Sequence, residues 1–476
     1  MGYRSQKPCV HDLTRVWLPK TMKAALVVAL GLTLAGTAAT AHAENWPRFR
    51  GLANGVTLDD PALPDRWSAT ENVAWKIDIP GRGWSSPIVW GDHVFVVTAV
   101  ATAKPVDTFR PAPEYIARSL GGTMTGDDVD RNLTEHRWVV YDIDARTGAV
   151  RWERVLRTAT PAQSRHEKNS LASETPVTDG ERVYVYLSYA GLYALNFDGT
   201  IAWAKPIDAQ PMRTGWGAAA SPALHDGRLY IVNDNEASSF IAAYDARTGN
   251  ELWRVRRDEL SSWSTPFIWQ NSLRTEIVTT ASKKVRSYDT SGTLLWELSG
   301  MTALHAATPI AAGGLLYISS GYPTDSVRPV YAIRPGATGD ITLPRDQRSN
   351  DYIVWSHPTL AGSYPSGLVT GDTYYMLLDR GIFIATEART GQEIYGRQRI
   401  ATDGGMFSAS PWAYNGKIFA LNEDGTTYVI QAGRKFEVIG KNPLDEFTLA
   451  TPAISDGSLF IRTATKLYRI GSRPPR

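Results

Sequence analysis

A Ser-Pro or Thr-Pro step opens an apolar run at seven places in this chain: Ser86-Pro87, Thr175-Pro176, Ser221-Pro222, Thr265-Pro266, Thr308-Pro309, Ser410-Pro411 and Thr451-Pro452. Ser366-Gly367 holds the same place in the remaining gap, which makes eight. From each Pro (or Gly367) to the next, the intervals are 89, 46, 44, 43, 58, 44 and 41 residues. Five of these lie near 44, and the two longer ones carry insertions. A repeat of 40 to 50 residues holding four short strands is the signature of a propeller blade. A second marker runs in phase with the first. The stretch Tyr244-Asp245-Ala246-Arg247-Thr248-Gly249-Asn250-Glu251-Leu252-Trp253 reads as strand, tight turn, strand, with Gly where the turn needs positive φ. Trp follows Gly by four residues at Gly148/Trp152, Gly199/Trp203, Gly249/Trp253 and Gly292/Trp296, with Tyr at Gly391/Tyr395. A turn has no need of Trp at a fixed offset, but a stack of modules does, because one large flat side chain per unit can fill the seam with its neighbour.

These markers predict an all-β chain forming a single eight-bladed β-propeller of four-stranded antiparallel blades over residues 73–470. Trp75, in the strand-like stretch Asn72 to Ile79, stands before the first Ser-Pro, whereas the last unit stops after Lys466 to Ile470 without its Trp strand. The N-terminal strand is therefore expected to complete the C-terminal blade and close the ring, leaving no long unpaired sheet edge. Insertions are read at 99–136, rich in Pro, Gly and charge, and at 334–350. Long excursions from a rigid scaffold carry function more often than its strands do, so each is read either as a partner-binding loop or as a plain solvated loop. Residues 44–72 are expected to pack over the outside of the first blades, and 471–476 form a tail.

Met22-Lys23, the apolar run Ala24 to Ala39 and the small residues Ala41-His42-Ala43 read as a secretory signal peptide cleaved after Ala43, with 1–21 as an upstream prefix. Cys9, the single cysteine of the chain, falls in that prefix. The mature protein then has no disulfide, thiolate ligand, Cys nucleophile or lipid-modified N-terminal Cys. The expectation is a periplasmic or secreted monomer with no stable membrane insertion. Of the 50 Lys+Arg and 48 Asp+Glu, five and one lie in residues 1–43, leaving 45 against 47, a balance that gives no support to nucleic-acid binding. Eight His are dispersed without a metal-binding spacing, so no metal centre is expected.

Residues just before the Ser/Thr-Pro markers approach one end of the axis if the inner strands line it. Trp84, Glu174, Trp216, Trp263, His305, Tyr364 and Phe407 are the candidate ligand-binding residues of such a funnel, with Phe447 and Arg257 nearby. An aromatic funnel suits a flat or extended ligand. The alternative is that most of these rings plug the core between blades.

The combination Tyr-Asp-x-x-Thr-Gly-x-x-x-Trp with a Ser/Thr-Pro strand opening resembles the pyrroloquinoline-quinone (PQQ)-type propeller repeat. That repeat occurs in quinoprotein dehydrogenases and in the BamB-type subunit of the outer-membrane assembly machine. The resemblance covers nearly all of residues 72–470. It implies two functions. In a dehydrogenase, PQQ lies at the channel mouth on an aromatic, with Ca²⁺ held by carboxylate and amide oxygens, an Asp base nearby and often a disulfide of adjacent cysteines. Here the oxygen candidates Asn169, Glu174, Asp234-Asn235-Glu236 and Asp379 are scattered, and no cysteine is available. A BamB-like protein instead binds other envelope proteins. A binding or interaction scaffold is the reading adopted, with no cofactor assigned; a PQQ-dependent or carbohydrate-active enzyme with its site in the funnel is the alternative.

Overall fold

The computed structural model describes residues 45–104, 109, 111, 128–131, 133–322, 325–402 and 404–472. The signal-peptide reading, Cys9 and most of the 99–136 insertion lie outside them. Eight sheets of antiparallel strands follow one another around an axis. Their innermost strands, for blades 1 to 8, are Ile88–Trp90, Val177–Thr178, Ala223–His225, Phe267–Gln270, Ile310–Ala312, Leu368–Thr370, Trp412–Tyr414 and Ala453–Ser455. Each begins immediately after a marker dipeptide. Among the described residues the helical content is one 3-10 turn, Arg213–Gly215.

The ring closes as the orphan strand predicts. Val73–Asp78 pairs antiparallel with Lys466–Ile470, with Trp75 opposite Arg469 and Ile77 opposite Leu467, and supplies the fourth strand of blade 8. Arg462, fully buried, ties the joint from within by donating to the carbonyls of Ile79, Gly81 and Lys466.

The Ser/Thr of each marker has a structural task. The backbone N–H of one marker donates to the hydroxyl of the next: Ser86 to Thr175, Thr175 to Ser221, Ser221 to Thr265, Thr308 to Ser366, Ser366 to Ser410 and Ser410 to Thr451, at 2.8–3.1 Å. A small hydroxyl satisfies a buried donor without filling the crowded axis, and the following Pro has no N–H to leave unpaired. The blades are thus laced together at the centre.

At the periphery the tryptophans lace them again. Trp75, Trp152, Trp203, Trp253 and Trp355 each donate their indole N–H to a carbonyl in the turn of the next blade, at Ala145, Phe197, Ala246, Thr290 and Ala388. Each ring lies flat on that turn's glycine: a Cβ on Gly148, Gly199, Gly249, Gly292 or Gly391 would fall 2.6–2.9 Å from it. The Gly and Trp of one repeat therefore serve two different seams. Gly249→Ala is expected to cost about 2 kcal/mol, from positive φ together with the Trp203 clash. Gly313→Ala, at positive φ with nothing within 4 Å, is the control for backbone strain alone. Urea titrations should show the larger loss at Gly249.

Trp296 departs from the pattern. It donates instead to Glu276 of its own blade, and Gly339–Asp340 adds a parallel fifth strand along its outer edge. The 334–350 insertion, which leaves blade 5, thus covers the edge of blade 4.

The apolar core sits in the seams between blades. One cluster joins Phe95 and Val97 of blade 1 to Val183 and Val185 of blade 2; another joins Leu192 and Ala194 of blade 2 to Leu229 and Ile231 of blade 3.

The N-terminal extension goes elsewhere than expected. It does not stay on the first blades but crosses the axis. Trp46 pairs with Val89, Pro47 O accepts from Thr178, Asn54 Nδ2 donates to Ala311 O, and Val56 bridges Ala413, so the segment touches blades 1, 2, 5 and 7 in turn. The inner strands end around the axis with unpaired edges, and a peptide strap with Arg and Asn donors satisfies them. Arg50 donates to Pro411 O from a fully buried position, and burial pushes its pKa down to about 9.

Candidate functional site: an aromatic funnel on the axis

Side chains alternate across an extended segment, so every second residue of the approach to each inner strand faces the axis. The eight marker residues Ser86, Thr175, Ser221, Thr265, Thr308, Ser366, Ser410 and Thr451 all line one cavity of about 260 Å³. So do the eight residues two positions earlier: Trp84, Ser173, Ala219, Trp263, Ala306, Tyr364, Ser408 and Leu449. Two stacked rings of eight result, hydroxyls below and a mixed aromatic and small ring above. Phe49 of the strap also lines the cavity and gives it a floor, while His166, Lys168, Trp216 and Tyr322 extend the wall outward.

Alternation sorts the sequence candidates. Trp84, Trp216, Trp263 and Tyr364 line the funnel. Glu174, His305 and Phe407 stand one or three positions before a marker, and the structure turns all three away from the axis into the blade seams, buried to 1%, 0% and 0% exposure. Phe447 is edge-on to Trp84 at 5.6 Å, behind the wall. Arg257 is paired with Asp234 and both side chains have no exposure. The marker hydroxyls, absent from the sequence candidates, could have been found from the period of two counted back from each Pro.

The wall is held from behind. Trp84 Nε1 donates to Lys168 O and Trp263 Nε1 to Gly217 O, both at 2.6 Å. Asn169 Nδ2 donates to Trp216 O and Ala218 O, fixing the loop that presents Trp216. The rings of Trp216 and Trp263 are 6.0 Å apart and tilted by 39°. Ser86 Oγ and Trp216 Nε1 are buried without a hydrogen-bond partner.

Charge is cancelled at the funnel. Lys168 Nζ lies 2.6 Å from Glu423 Oε1, which also accepts from Ser408 Oγ at 2.6 Å. That pair joins the approach to blade 2 with blade 7. Burial, aided by Lys168, drives the His166 pKa down to about 3, so its ring is neutral near pH 7. Burial likewise takes His305 down to about 4.

Glu174 shows the opposite effect. Burial raises its pKa to about 7, against the hydrogen bonds its Oε1 accepts from Ser188 N and Oγ. A carboxyl whose folded pKa lies above its unfolded one contributes stability fully below pH 4.5, and that contribution is lost as pH rises through about 7. Glu174→Gln should therefore gain on the native protein by on the order of 1–3 kcal/mol between pH 5 and pH 8. Thermal melts across that range check it; a constant difference would contradict the assignment.

The oxygen donors that a Ca²⁺-bound quinone needs are committed elsewhere. Asp379 Oδ1 accepts from the backbone of Ser363 and Tyr364, Asp234 holds Arg257, Glu236 Oε1 accepts from Ser261, and Asn169 Oδ1 accepts from Leu171 N. Among the described residues no three His, Cys, Asp or Glu side chains gather in a metal-holding group. Glu174 keeps Oε2 without a partner but stands apart from the others, so no converging set of oxygens for Ca²⁺ is seen among the described residues.

Comparison with known proteins agrees with this geometry at the level of fold and repeat. The quinohemoprotein alcohol dehydrogenase from Comamonas testosteroni superposes with a TM-score of 0.53 at 12% identity, covering 91% of this chain and 82% of that one. BamB from Moraxella catarrhalis gives 0.39 at 14% identity, covering 83% of this chain and 99% of that one. At such identity the likeness is one of fold. The serine/threonine-protein kinase AfsK of Streptomyces coelicolor is 27% identical over 220 residues, 45% of this chain and 24% of that protein, so this chain matches about a quarter of that relative's length. A family described as outer membrane protein assembly factor BamB matches residues 136–397, more than half of the sequence and blades 1 to 6. With the repeat markers in phase around a closed eight-bladed ring, the chain belongs to the BamB family.

Proposed function

We propose that this protein is an exported, periplasmic binding propeller that works as an interaction scaffold for envelope proteins. The supporting observation is the state of the ionisable groups around the funnel. His166 is buried with a pKa that favours its neutral form, Lys168 is paired with Glu423 and Arg257 with Asp234, and Glu174, whose pKa burial raises to about 7, does not line the cavity. General acid-base chemistry needs a group near its working pKa within reach of a substrate, whereas binding needs a rigid, preorganised surface. The six marker bonds at the centre and five tryptophan bonds at the periphery supply that rigidity. The signal-like start, Met22 to Ala43, and the name of the family, an assembly factor of outer membrane proteins, point to the same compartment.

Affinity capture of the tagged full chain from a crosslinked bacterial envelope tests the reading. Enrichment of outer-membrane or periplasmic proteins over an unrelated tagged propeller is expected. Failure to enrich any, together with a thermal shift of several degrees on adding PQQ and Ca²⁺, would replace the scaffold by a quinone enzyme, since a ligand of the native state must stabilise it.

A further inference from the structure

The funnel is more specific than a scaffold needs. Three features of its lining restrict what it can hold. Its faces are aromatic: Trp84, Trp216, Trp263 and Tyr364 line it above the ring of marker hydroxyls, with Phe49 at the floor. Two buried hydrogen-bonding atoms of the lining residues have no partner. Ser86 is 1% exposed, lines the cavity, and its Oγ has no partner, although its counterparts in six other blades accept a neighbour's N–H. Trp216 Nε1, also at the wall, is likewise unpartnered. The third feature is neutrality, because Lys168 is compensated by Glu423 and burial keeps His166 uncharged.

Each feature removes a class of ligand. An anionic ligand, such as a tricarboxylate quinone or an acidic peptide, would be desolvated where the nearest cation is already paired. A hydrocarbon or plain aromatic would cover the walls but bring no hydrogen-bond partner to Ser86 Oγ and Trp216 Nε1, which are already buried without one. A pyranose ring answers all three, with C–H faces that stack on indole and hydroxyls that both donate and accept at its edge. The 260 Å³ volume is at the small end of ligand pockets and suits one or two rings.

We propose that the axial funnel binds a neutral hexopyranose unit of a glycan, stacked on the tryptophan wall and hydrogen-bonded to Ser86 Oγ and Trp216 Nε1. The proposal rests on the reading of this chain as a binding propeller and assigns its ligand class. In an envelope, such a unit would tether the scaffold to a glycan surface while its rim stays available to proteins.

The test is titration of the purified full chain with cellobiose, maltose and N,N′-diacetylchitobiose, read by tryptophan fluorescence and calorimetry. PQQ and a uronic-acid disaccharide serve as charged competitors. At least one neutral probe should bind with a millimolar or tighter Kd, and the uronate should bind about tenfold more weakly than its neutral counterpart. Trp216→Ala should weaken binding by about tenfold or more. Ser86→Ala, which removes only an oxygen, should weaken it about three- to tenfold with the melting temperature little changed. Absence of any response to about 20 mM of every neutral probe, equal or tighter binding of a charged probe, or an unchanged Kd in both variants would overturn it. Envelope-protein capture by the unmodified chain separates the two readings: capture by a protein that binds none of the neutral probes leaves the scaffold standing and this assignment refuted.

Discussion

Asp234→Ala is expected to destabilise the protein by about 3–5 kcal/mol, the usual loss when one partner of a buried ion pair is removed. Arg257 Nε and Nη2 reach Asp234 Oδ1 and Oδ2 at 2.7 and 3.0 Å, and neither side chain has any exposure. Asp234 directly follows the second strand of blade 3, and Arg257 directly follows the fourth. The remaining guanidinium nitrogen, Nη1, donates to Thr279 Oγ1 at 2.8 Å and Tyr288 OH at 2.9 Å in blade 4. Burial opposes the charge of Arg257, but the Asp234 carboxylate outweighs it and holds the pKa above the ordinary value. Without Asp234, burial is opposed only by the weaker influence of Tyr288 and Glu259. The double variant Asp234→Leu with Arg257→Met should recover most of the loss, because neither charge is then stranded. Urea denaturation of the two single variants and the double completes the cycle. A loss below about 1 kcal/mol for Asp234→Ala would mean that solvent reaches the pair.

Removing the closing strand is expected to have the other large effect. Deleting residues 45–81 strips blade 8 of its outer strand, takes Trp75 off Gly148, and leaves Arg462 without the carbonyls of Ile79 and Gly81. Lys466–Ile470 then becomes a free edge beside blade 1, and exposed edges pair with other chains. A five-residue ladder at about 1 kcal/mol per bond, plus the burial of Trp75 and Ile77, puts the loss above about 5 kcal/mol. Soluble yield should fall and the remaining protein should aggregate on size exclusion. Trp75→Ala is the graded version, expected to cost about 2–4 kcal/mol because Trp75 is only partly buried against the cluster of blades 7, 8 and 1. A soluble, cooperatively unfolding deletion protein would show that the ring does not depend on this closure.

Much of the fold was legible because it depends on local chemistry. A Ser or Thr before Pro opens seven of the eight inner strands, and Gly followed four residues on by Trp makes a turn and an outer strand. Eight such units in phase leave little choice but a ring, and the unpaired Trp75 strand indicated where it closes. Half of the funnel followed from the same regularity. Trp84, Trp263 and Tyr364 face the axis because they stand an even number of residues before their markers, and Glu174, His305 and Phe407 turn into the seams because they stand an odd number before. Trp216 breaks that count. It stands five residues before Ser221 and still faces the funnel, since Gly215 and Gly217, both at positive φ, redirect the chain on either side of it.

What only the folded ring decided are the pairings between residues far apart in the chain. Lys168 meets Glu423 across 255 positions, Arg50 meets Pro411 across 361, and the strap that carries Arg50 reaches blades 5 and 7 when its composition suggested a cover for blades 1 and 2. Strand period, turn chemistry and strand-opening dipeptides act within a few residues, so one sequence displays them. Which charge neutralises which, and what seals the end of a channel, depends on where eight blades stand once the circle is closed, and no spacing along the chain encodes that distance.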